Sequence, residues 1–116
     1  MATLSSSIKS LLSSVPNVFR GSMADTPNNA VCFYATGGYP ADLSGSMIEE
    51  PTFLIKVRNT NYDTGEALCN TIIGLLHGSS NENNLCIYSQ SGIMDLGKDL
   101  SGRSEFTINF RTYYKK

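Results

Sequence analysis

The chain has 116 residues, a length that supports one hydrophobic core and leaves too little for a second. Its formal net charge is -1, so the overall field gives no general attraction to nucleic acid or to an anionic membrane. Residues 1–15 lack a basic leader and a continuous apolar run, which argues against a signal peptide or a membrane span there. We expect a single domain over residues 1–116.

The cysteine and histidine content limits the metal and redox chemistry that we expect. The chain has 3 cysteines and 1 histidine. Cys32, Cys69 and Cys86 form no close pair and lack the spacing of a zinc site. Each lies in an apolar run, where a free cysteine behaves as a small hydrophobe. The pattern predicts no disulfide, no metal and no cofactor, and it suits a reducing cytoplasm.

The first predicted element is a helix, because apolar residues recur at helical spacing from the start of the chain: Leu4, Ile8, Leu11, Leu12 and Val15. Thr3 is a suitable N-cap, and Pro16 marks the end. Residues 19–29 are rich in Gly, Ser, Asp, Pro and Asn, which predicts an extended connection on the surface.

Two strands are predicted next. In residues 30–35 the side chains alternate, with Val31 and Phe33 on one face and Cys32 and Tyr34 on the other. A Thr-Gly-Gly-Tyr-Pro turn at 36–40 leads into a loop at 41–50, which is longer than a simple hairpin requires. Residues 52–59 alternate again and predict the second strand.

A second helix is predicted after these strands. Polar and acidic residues at 61–66 suit a helix N-terminus, and apolar residues continue at helical spacing: Leu68, Ile72, Leu75 and Leu76. His77 and Gly78 end the helix. The simplest interpretation of His77 is a favourable charge at the negative end of the helix dipole, with catalysis or metal binding as the alternative.

The remaining pattern predicts a polar turn at 79–84, a strand at 85–91, a glycine-containing loop that ends at Arg103, and a strand at 105–114. The order helix, two strands, helix, two strands predicts an α+β fold: an antiparallel four-stranded sheet with two helices packed on one face. The other face would mix aromatic, apolar and basic side chains. This mixture is typical of a subunit contact, although strand propensity alone also favours tyrosine there. The residues of that face are Cys32, Tyr34, Leu54, Lys56, Arg58, Cys86, Tyr88, Arg111 and Tyr113.

No catalytic constellation is recognisable. Residues 92–98 match the first seven positions of a phosphate-binding loop, but Asp99 replaces the magnesium-binding Ser or Thr, and Gly102 follows where a helix should begin. Glu49 and Glu50 are adjacent on an extended segment and point apart, so they do not form an acid–base pair. No nucleophile has an evident base, and we expect no enzyme.

Several stretches follow one another in a characteristic order: 15–21 (Val-Pro-Asn-Val-Phe-Arg-Gly), 25–30 (Asp-Thr-Pro-Asn-Asn-Ala), 36–40, 50–59 (Glu-Pro-Thr, then Val-Arg-Asn) and 62–78. Together they resemble the tail-terminator group of the small minor capsid proteins of tailed bacteriophages. The resemblance implies an α+β fold and a hexameric ring on the end of the tail tube. Such a ring stops tube growth and presents a surface to the head connector, and its subunits are not enzymes.

The resemblance also implies a location and partners. We expect a virion protein at the head-proximal end of the tail, assembled in the cytoplasm of the bacterial host. Its partners would be further copies of itself, the tail tube protein and the head–tail connector protein, with non-specific contact to DNA in the lumen and no membrane. The alternatives are a head-completion or connector protein and, in another class, a small-ligand or nucleotide-binding module at residues 92–98.

Acidic and basic residues fall in separate regions, as a closed ring with two different patches on each subunit would allow. The acidic region is Asp42, Glu49 and Glu50; the basic region near the C-terminus is Lys98, Arg103, Arg111, Lys115 and Lys116. For Lys115 and Lys116 an ordinary solubilising tail is the preferred interpretation. We predict contact loops at Gly37 to Tyr39 and at Gly97 to Arg103, and an interface formed by Gly37, Gly38, Tyr39, Asp42, Glu49, Glu50, Arg58, Lys98, Arg103, Arg111 and Tyr113.

Overall fold

The computed structural model describes residues 4–39, 48–78 and 86–115. These residues form two helices and six strands: α1 (Leu4–Leu11), β1 (Val18–Arg20), β2 (Ala30–Tyr39), β3 (Ile48–Asn59), α2 (Tyr62–Leu76), β4 (Cys86–Ser89), β5 (Met94–Lys98) and β6 (Ser104–Lys115). The predicted fold class, α+β with a mostly antiparallel sheet and two helices, is confirmed.

The sheet is larger than predicted, and its order differs. Its strands lie in the order β1-β2-β3-β6-β4, and β5 also pairs with β6. β1 runs parallel to β2, whereas the other pairings are antiparallel. The prediction of four strands is therefore wrong, because β1 and β5 are additional strands in segments that we interpreted as a surface connection and a loop.

The predicted strand boundaries near residues 36–50 also need correction. β2 continues through residues 36–39, which we predicted to be a turn, and a bulge between Ala35 and Gly37 interrupts its register with β3. Gly37 has a φ of +103°, a conformation that glycine adopts without steric cost. β3 begins at Ile48, so Glu49 and Glu50 belong to a strand. Residue 40 of the predicted turn, residues 41–47 of the predicted loop, and the predicted turn at 79–84 lie outside the described residues.

The hydrophobic core lies between one face of the sheet and the two helices. Alternate residues of β2, β3 and β6 point into it, as the period of two predicts. Phe53 and Phe110, which face each other on β3 and β6, stack with ring centroids 5.2 Å apart. Both helices contribute to this one cluster, which contains Ile8, Leu12, Val15, Val18, Val31, Phe33, Phe53, Ile55, Val57, Cys69, Ile72, Leu76, Ile87, Phe106, Ile108 and Phe110.

Helix α2 has a defined cap at each end. The Asn61 side chain accepts a hydrogen bond from the backbone N–H of Thr64 at 2.9 Å. At the other end, the His77 N–H donates to the Ile73 carbonyl, and Gly78 follows with a φ of +79°. Cys69 lies inside the helix–sheet core, where burial raises the pKa of its thiol to about 12, so it acts as a small apolar side chain.

Candidate interaction surface

The face of the sheet opposite the helices is called here the outer face. Two registers orient it: Tyr39 lies opposite Glu50 at one end of the sheet, and Lys98 lies opposite Ser104 at the other. We call the first the upper end and the second the lower end. The two parts of the outer face differ in what covers them.

The connection between β1 and β2, residues 21–29, passes over the lower part of the outer face and is held there by two buried arginines. Arg58 of β3 donates hydrogen bonds to backbone carbonyl oxygens of this segment at 2.6–3.3 Å: those of Ala24, Asp25, Pro27 and Asn28. Arg103 donates to the carbonyl oxygen and the carboxylate of Asp25 at 2.7 and 2.8 Å, and to the Asp99 carboxylate at 2.7 Å. We call this arrangement the arginine clasp.

The arginine clasp changes the interpretation of two residues that we predicted to lie in an interface. Arg58 and Arg103 are only 5% and 6% exposed. Their guanidinium groups hold the chain's own 24–28 segment, across sequence separations of up to 78 residues. Local sequence patterns carry no signal for such distant partners. We therefore leave both arginines out of the proposed interface.

The upper part of the outer face is largely aromatic, and none of the described residues covers it. Its exposed rings are Tyr34 at 40% and Tyr113 at 39%. Tyr113 packs against Tyr88 with ring centroids 5.6 Å apart, and the Tyr88 hydroxyl donates to the Tyr113 hydroxyl at 3.2 Å. Leu54 and Arg111 are half-buried beside them. We call these five residues the aromatic face: Tyr34, Leu54, Tyr88, Arg111 and Tyr113.

Charges next to the tyrosine pair shape the electrostatics of the aromatic face. The hydrogen bond with Tyr88 raises the pKa of the Tyr113 phenol, and the Glu50 carboxylate acts in the same direction, while Arg111 acts in the opposite one. Tyr113 is therefore a neutral hydrogen-bonding group at physiological pH, with a carboxylate and a guanidinium nearby. Tyrosine and arginine are the residue types that carry much of the binding energy in protein interfaces. The arrangement suits a protein partner better than a reacting substrate.

The structure places the other predicted interface residues at opposite ends of the sheet. Gly37 of β2 and Arg111 of β6 both lie opposite Thr52 of β3, at the upper end of the sheet. Gly97 of β5 lies opposite Glu105 of β6, at the lower end. The two levels are six residue steps apart on β6, from Glu105 to Arg111, which corresponds to about 20 Å. The upper group is Gly37, Gly38, Tyr39, Glu49, Glu50, Arg111 and Tyr113. At the lower end lie Arg58, Lys98 and Arg103, of which only Lys98 stays in the proposed interface. Asp42 and Lys116 lie outside the described residues, and Lys115 is the last residue of β6.

Residues 92–98 do not form a phosphate cradle. Met94 to Lys98 is strand β5, hydrogen-bonded along β6, rather than a loop that leads into a helix. The nucleotide-binding alternative therefore lacks the loop geometry on which it depended. β5 also presents apolar side chains that sequence reasoning missed: Met94 and Leu96 are 43% and 52% exposed, and Leu100 is fully exposed. The sequence signal that could have identified them is that these large apolar residues stand in a segment punctuated by Gly92, Gly97 and Gly102.

His77 links the end of α2 to β4. Its Nδ1 atom accepts a hydrogen bond from the Ser89 N–H at 2.9 Å, so in this geometry the imidazole acts as a hydrogen-bond acceptor. In residues 4–39, 48–78 and 86–115, no three His, Cys, Asp or Glu side chains are grouped closely enough to hold a metal ion. Neither described helix has the length and apolar character needed to cross a membrane.

The comparisons with known proteins agree with the resemblance seen in the sequence. A family model described as "Bacteriophage tail terminator protein" matches residues 2–116. A comparison with curated proteins gives no match. Because the family match spans nearly the whole chain, it includes every described strand and helix, and with them both ends of the sheet. This chain belongs to the family of bacteriophage tail terminator proteins and is a structural component of the phage tail.

Proposed function

We propose that this protein caps the tail tube as a ring of identical subunits, stops further growth of the tube and provides the surface that the head connector joins. The observation that supports the proposal is that the predicted contact residues divide between the two ends of one sheet, the upper group at one end and Lys98 at the other, in a chain of the tail terminator family. A cap between two partners needs two such surfaces.

A subunit of this ring has three kinds of neighbour: other subunits, the last ring of the tube and the connector. The upper group, with Glu50, Arg111 and Tyr113, supplies aromatic and charged side chains on the upper part of the outer face. The lower end supplies Lys98 at the end of β5. A separation of about 20 Å along the strands allows the upper group and Lys98 to contact different partners.

The proposed partners are therefore further copies of this chain, the tail tube protein and the head–tail connector protein, and the proposed location is the head-proximal end of the tail. Contact with DNA in the lumen would rest on Lys98 and the C-terminal lysines, because Arg58 and Arg103 are engaged within the chain. A head-completion or connector role is the second candidate, since it uses the same assembly logic. The family description favours the terminator.

Electron microscopy of particles from a phage in which this gene alone is disrupted tests the proposal. We expect normal heads and unattached tails that have grown beyond their usual length. Tails of normal length that fail to join heads would assign the protein to the connector instead. Intact infectious particles would show that the chain has no structural role in the virion.

A second experiment tests the aromatic face by complementing the disrupted gene with single variants. Tyr113→Asp places a charge on this face, and we expect it to fold normally but not to restore tail length. Asn70→Asp on the exposed side of α2 is the matched control, and it should restore normal particles. Full restoration by the Tyr113 variant would remove the aromatic face from the proposed contacts.

A further inference from the structure

We infer that neighbouring copies of this chain join through their sheet edges, with β5 of one copy pairing with the uncovered edge of β2 in the next. This inference rests on the ring proposed above and names the surfaces through which the ring closes. It draws on three features: a strand-sized notch, an apolar cleft and an exposed apolar strand.

The notch lies beside the upper half of β2. β1 pairs with β2 only from Val31 to Phe33, and where β1 ends the Gly21 N–H donates to the Phe33 carbonyl at 2.8 Å. In the part of the chain that the structure describes, no strand pairs with that side of β2 from Tyr34 to Tyr39. The six uncovered residues span about 20 Å, and an uncovered strand edge offers its N–H and C=O groups to another strand.

The notch opens into a cleft of about 360 Å³ that lies between α1 and the sheet. Apolar side chains line most of it, including Ile8, Phe33, Ala35 and Phe53. A strand that filled the notch would point alternate side chains toward this cleft. The strand that enters should therefore carry apolar residues on a free edge.

β5, at the opposite edge of the same sheet, meets that requirement. All of its residues are exposed, and in the described part of the chain it pairs with β6 alone. Leu96, in the bulge between Asp95 and Gly97, is the exposed apolar side chain that this strand offers to the cleft. Met94 lies opposite Thr107 and therefore on the outer face of the sheet. An exposed apolar strand with a free edge promotes association unless another chain covers it.

The registers decide which strand enters the notch. β4 and β5 lie end to end beside β6, with β4 at the upper end and β5 at the lower end. β1 occupies the lower half of the space beside β2. If two copies met at the same height along the strands, β5 of one copy would therefore collide with β1 of the next. A shift along the strands by about half their length instead places β5 in the notch and leaves β4 beyond it.

This shifted contact has the geometry of a ring interface. In copies of the same orientation, β5 and β2 run antiparallel, because β6 runs parallel to β2 and β5 is antiparallel to β6. The two surfaces differ, so the contact is heterologous, as a cyclic assembly requires. A stagger between adjacent strands is compatible with closure when the strands tilt relative to the ring axis.

Cysteine cross-linking in purified tails tests the pairing. In a Cys86→Ser background, Ala35→Cys combined with Leu96→Cys should give a ladder of disulfide-linked multimers that disappears on reduction. Each single variant, and the pair Ala35→Cys with Asn70→Cys, should give none. If a lysine-reactive cross-linker yields multimers from the same tails but the Ala35–Leu96 pair does not, the edge pairing is wrong although the ring exists.

Complementation separates this inference from the proposed function. Leu96→Glu should fold with an unchanged melting temperature yet leave tails overlong, whereas Asn70→Glu should restore normal tails. Normal tails with Leu96→Glu would overturn the edge contact and leave the terminator role intact. Normal tails after disruption of the gene itself would overturn the terminator role and the inference with it.

Discussion

At the scale of single residues, Gly65 determines how closely α2 approaches the sheet. A Cβ atom at this position would lie 2.7 Å from Cε2 of Phe106 and 3.1 Å from Cβ of Asn59. Phe106 is fully buried and Asn59 nearly so, which leaves little room for either to move. The glycine is therefore needed for close packing, and not for an unusual backbone angle.

Two substitutions in the same helix separate packing from helix propensity. Gly65→Ala should lower the free energy of unfolding by about 1–3 kcal/mol, because the overpacking cost exceeds the gain in propensity. Gly74→Ala, where a Cβ would meet nothing within 4 Å, should instead raise it by about 0.5–1 kcal/mol. Urea denaturation measures both. Equal effects of the two changes would show that α2 can shift away from β6.

Asp99 connects stability to pH. Hydrogen bonds from the backbone N–H of Arg103, and further bonds from its side chain and from the Ser101 N–H, lower the pKa of this carboxyl. Because the folded-state pKa lies below the unfolded one, the stabilisation is present above the unfolded pKa. It is lost as pH falls through the folded value.

Melting temperatures measured from pH 7 down to pH 3 test this effect. Asp99→Asn should lower the melting temperature at pH 7 and make the loss of stability on acidification smaller than in the wild type. Glu66→Gln on the exposed side of α2 is the control for the removal of a carboxylate from the chain. An unchanged pH profile in the Asp99 variant would contradict the assignment of the pKa shift to this loop.

At the scale of elements, the arginine clasp converts a segment without regular structure into a fixed cover for the lower outer face. Arg58→Lys keeps the charge but cannot reproduce the forked hydrogen bonds to the carbonyl oxygens of residues 24–28. We expect a loss of about 1–3 kcal/mol in the free energy of unfolding. Limited proteolysis should then cut within residues 21–29.

The matched control for the clasp is Lys56→Arg, on the same strand and the same face. Lys56 is paired with Glu105 at 3.1 Å and its side chain is 32% exposed. Arginine at this position keeps the positive charge beside Glu105, so this change should leave stability and proteolysis almost unaltered. Resistance of the Arg58 variant to protease would mean that other contacts hold the segment.

Elements with a sustained period could be predicted from the sequence, and short ones could not. Residues 52–59 and 105–114 alternate over many positions, and the second helix has both a cap and a regular apolar stripe. β1 has three residues, too few to show a period. β5 contains Gly97 and a register shift, so its pattern resembles that of a loop.

The same distinction applies to the candidate surface. Tyr34, Tyr88 and Tyr113 could be placed on one face from strand alternation, because a period of two fixes their direction. The burial of Arg58 and Arg103 could not be predicted, since it depends on carbonyl groups brought near by the tertiary fold. The sequence alone does not show whether a charged side chain binds another protein or a distant part of its own chain.

At the scale of the whole molecule, stability should fall from the middle of the sheet toward its edges. β3 and β6 are paired on both sides and carry the buried aromatic core, whereas β5 is exposed throughout. In hydrogen exchange of the isolated protein, we expect the slowest amides in β3 and β6 and faster exchange in β1 and β5. Fast exchange throughout β3 would contradict this order.

β6 also determines when the chain can fold during its synthesis. It is the last described element in the sequence, yet β3, β4 and β5 all use it as a partner. Until Ser104 to Lys115 has left the ribosome, β4 and β5 have no strand to join in this sheet, and β3 is paired only with β2. The native sheet is therefore completed only after these residues emerge, and its finished edges are not presented to other copies before then.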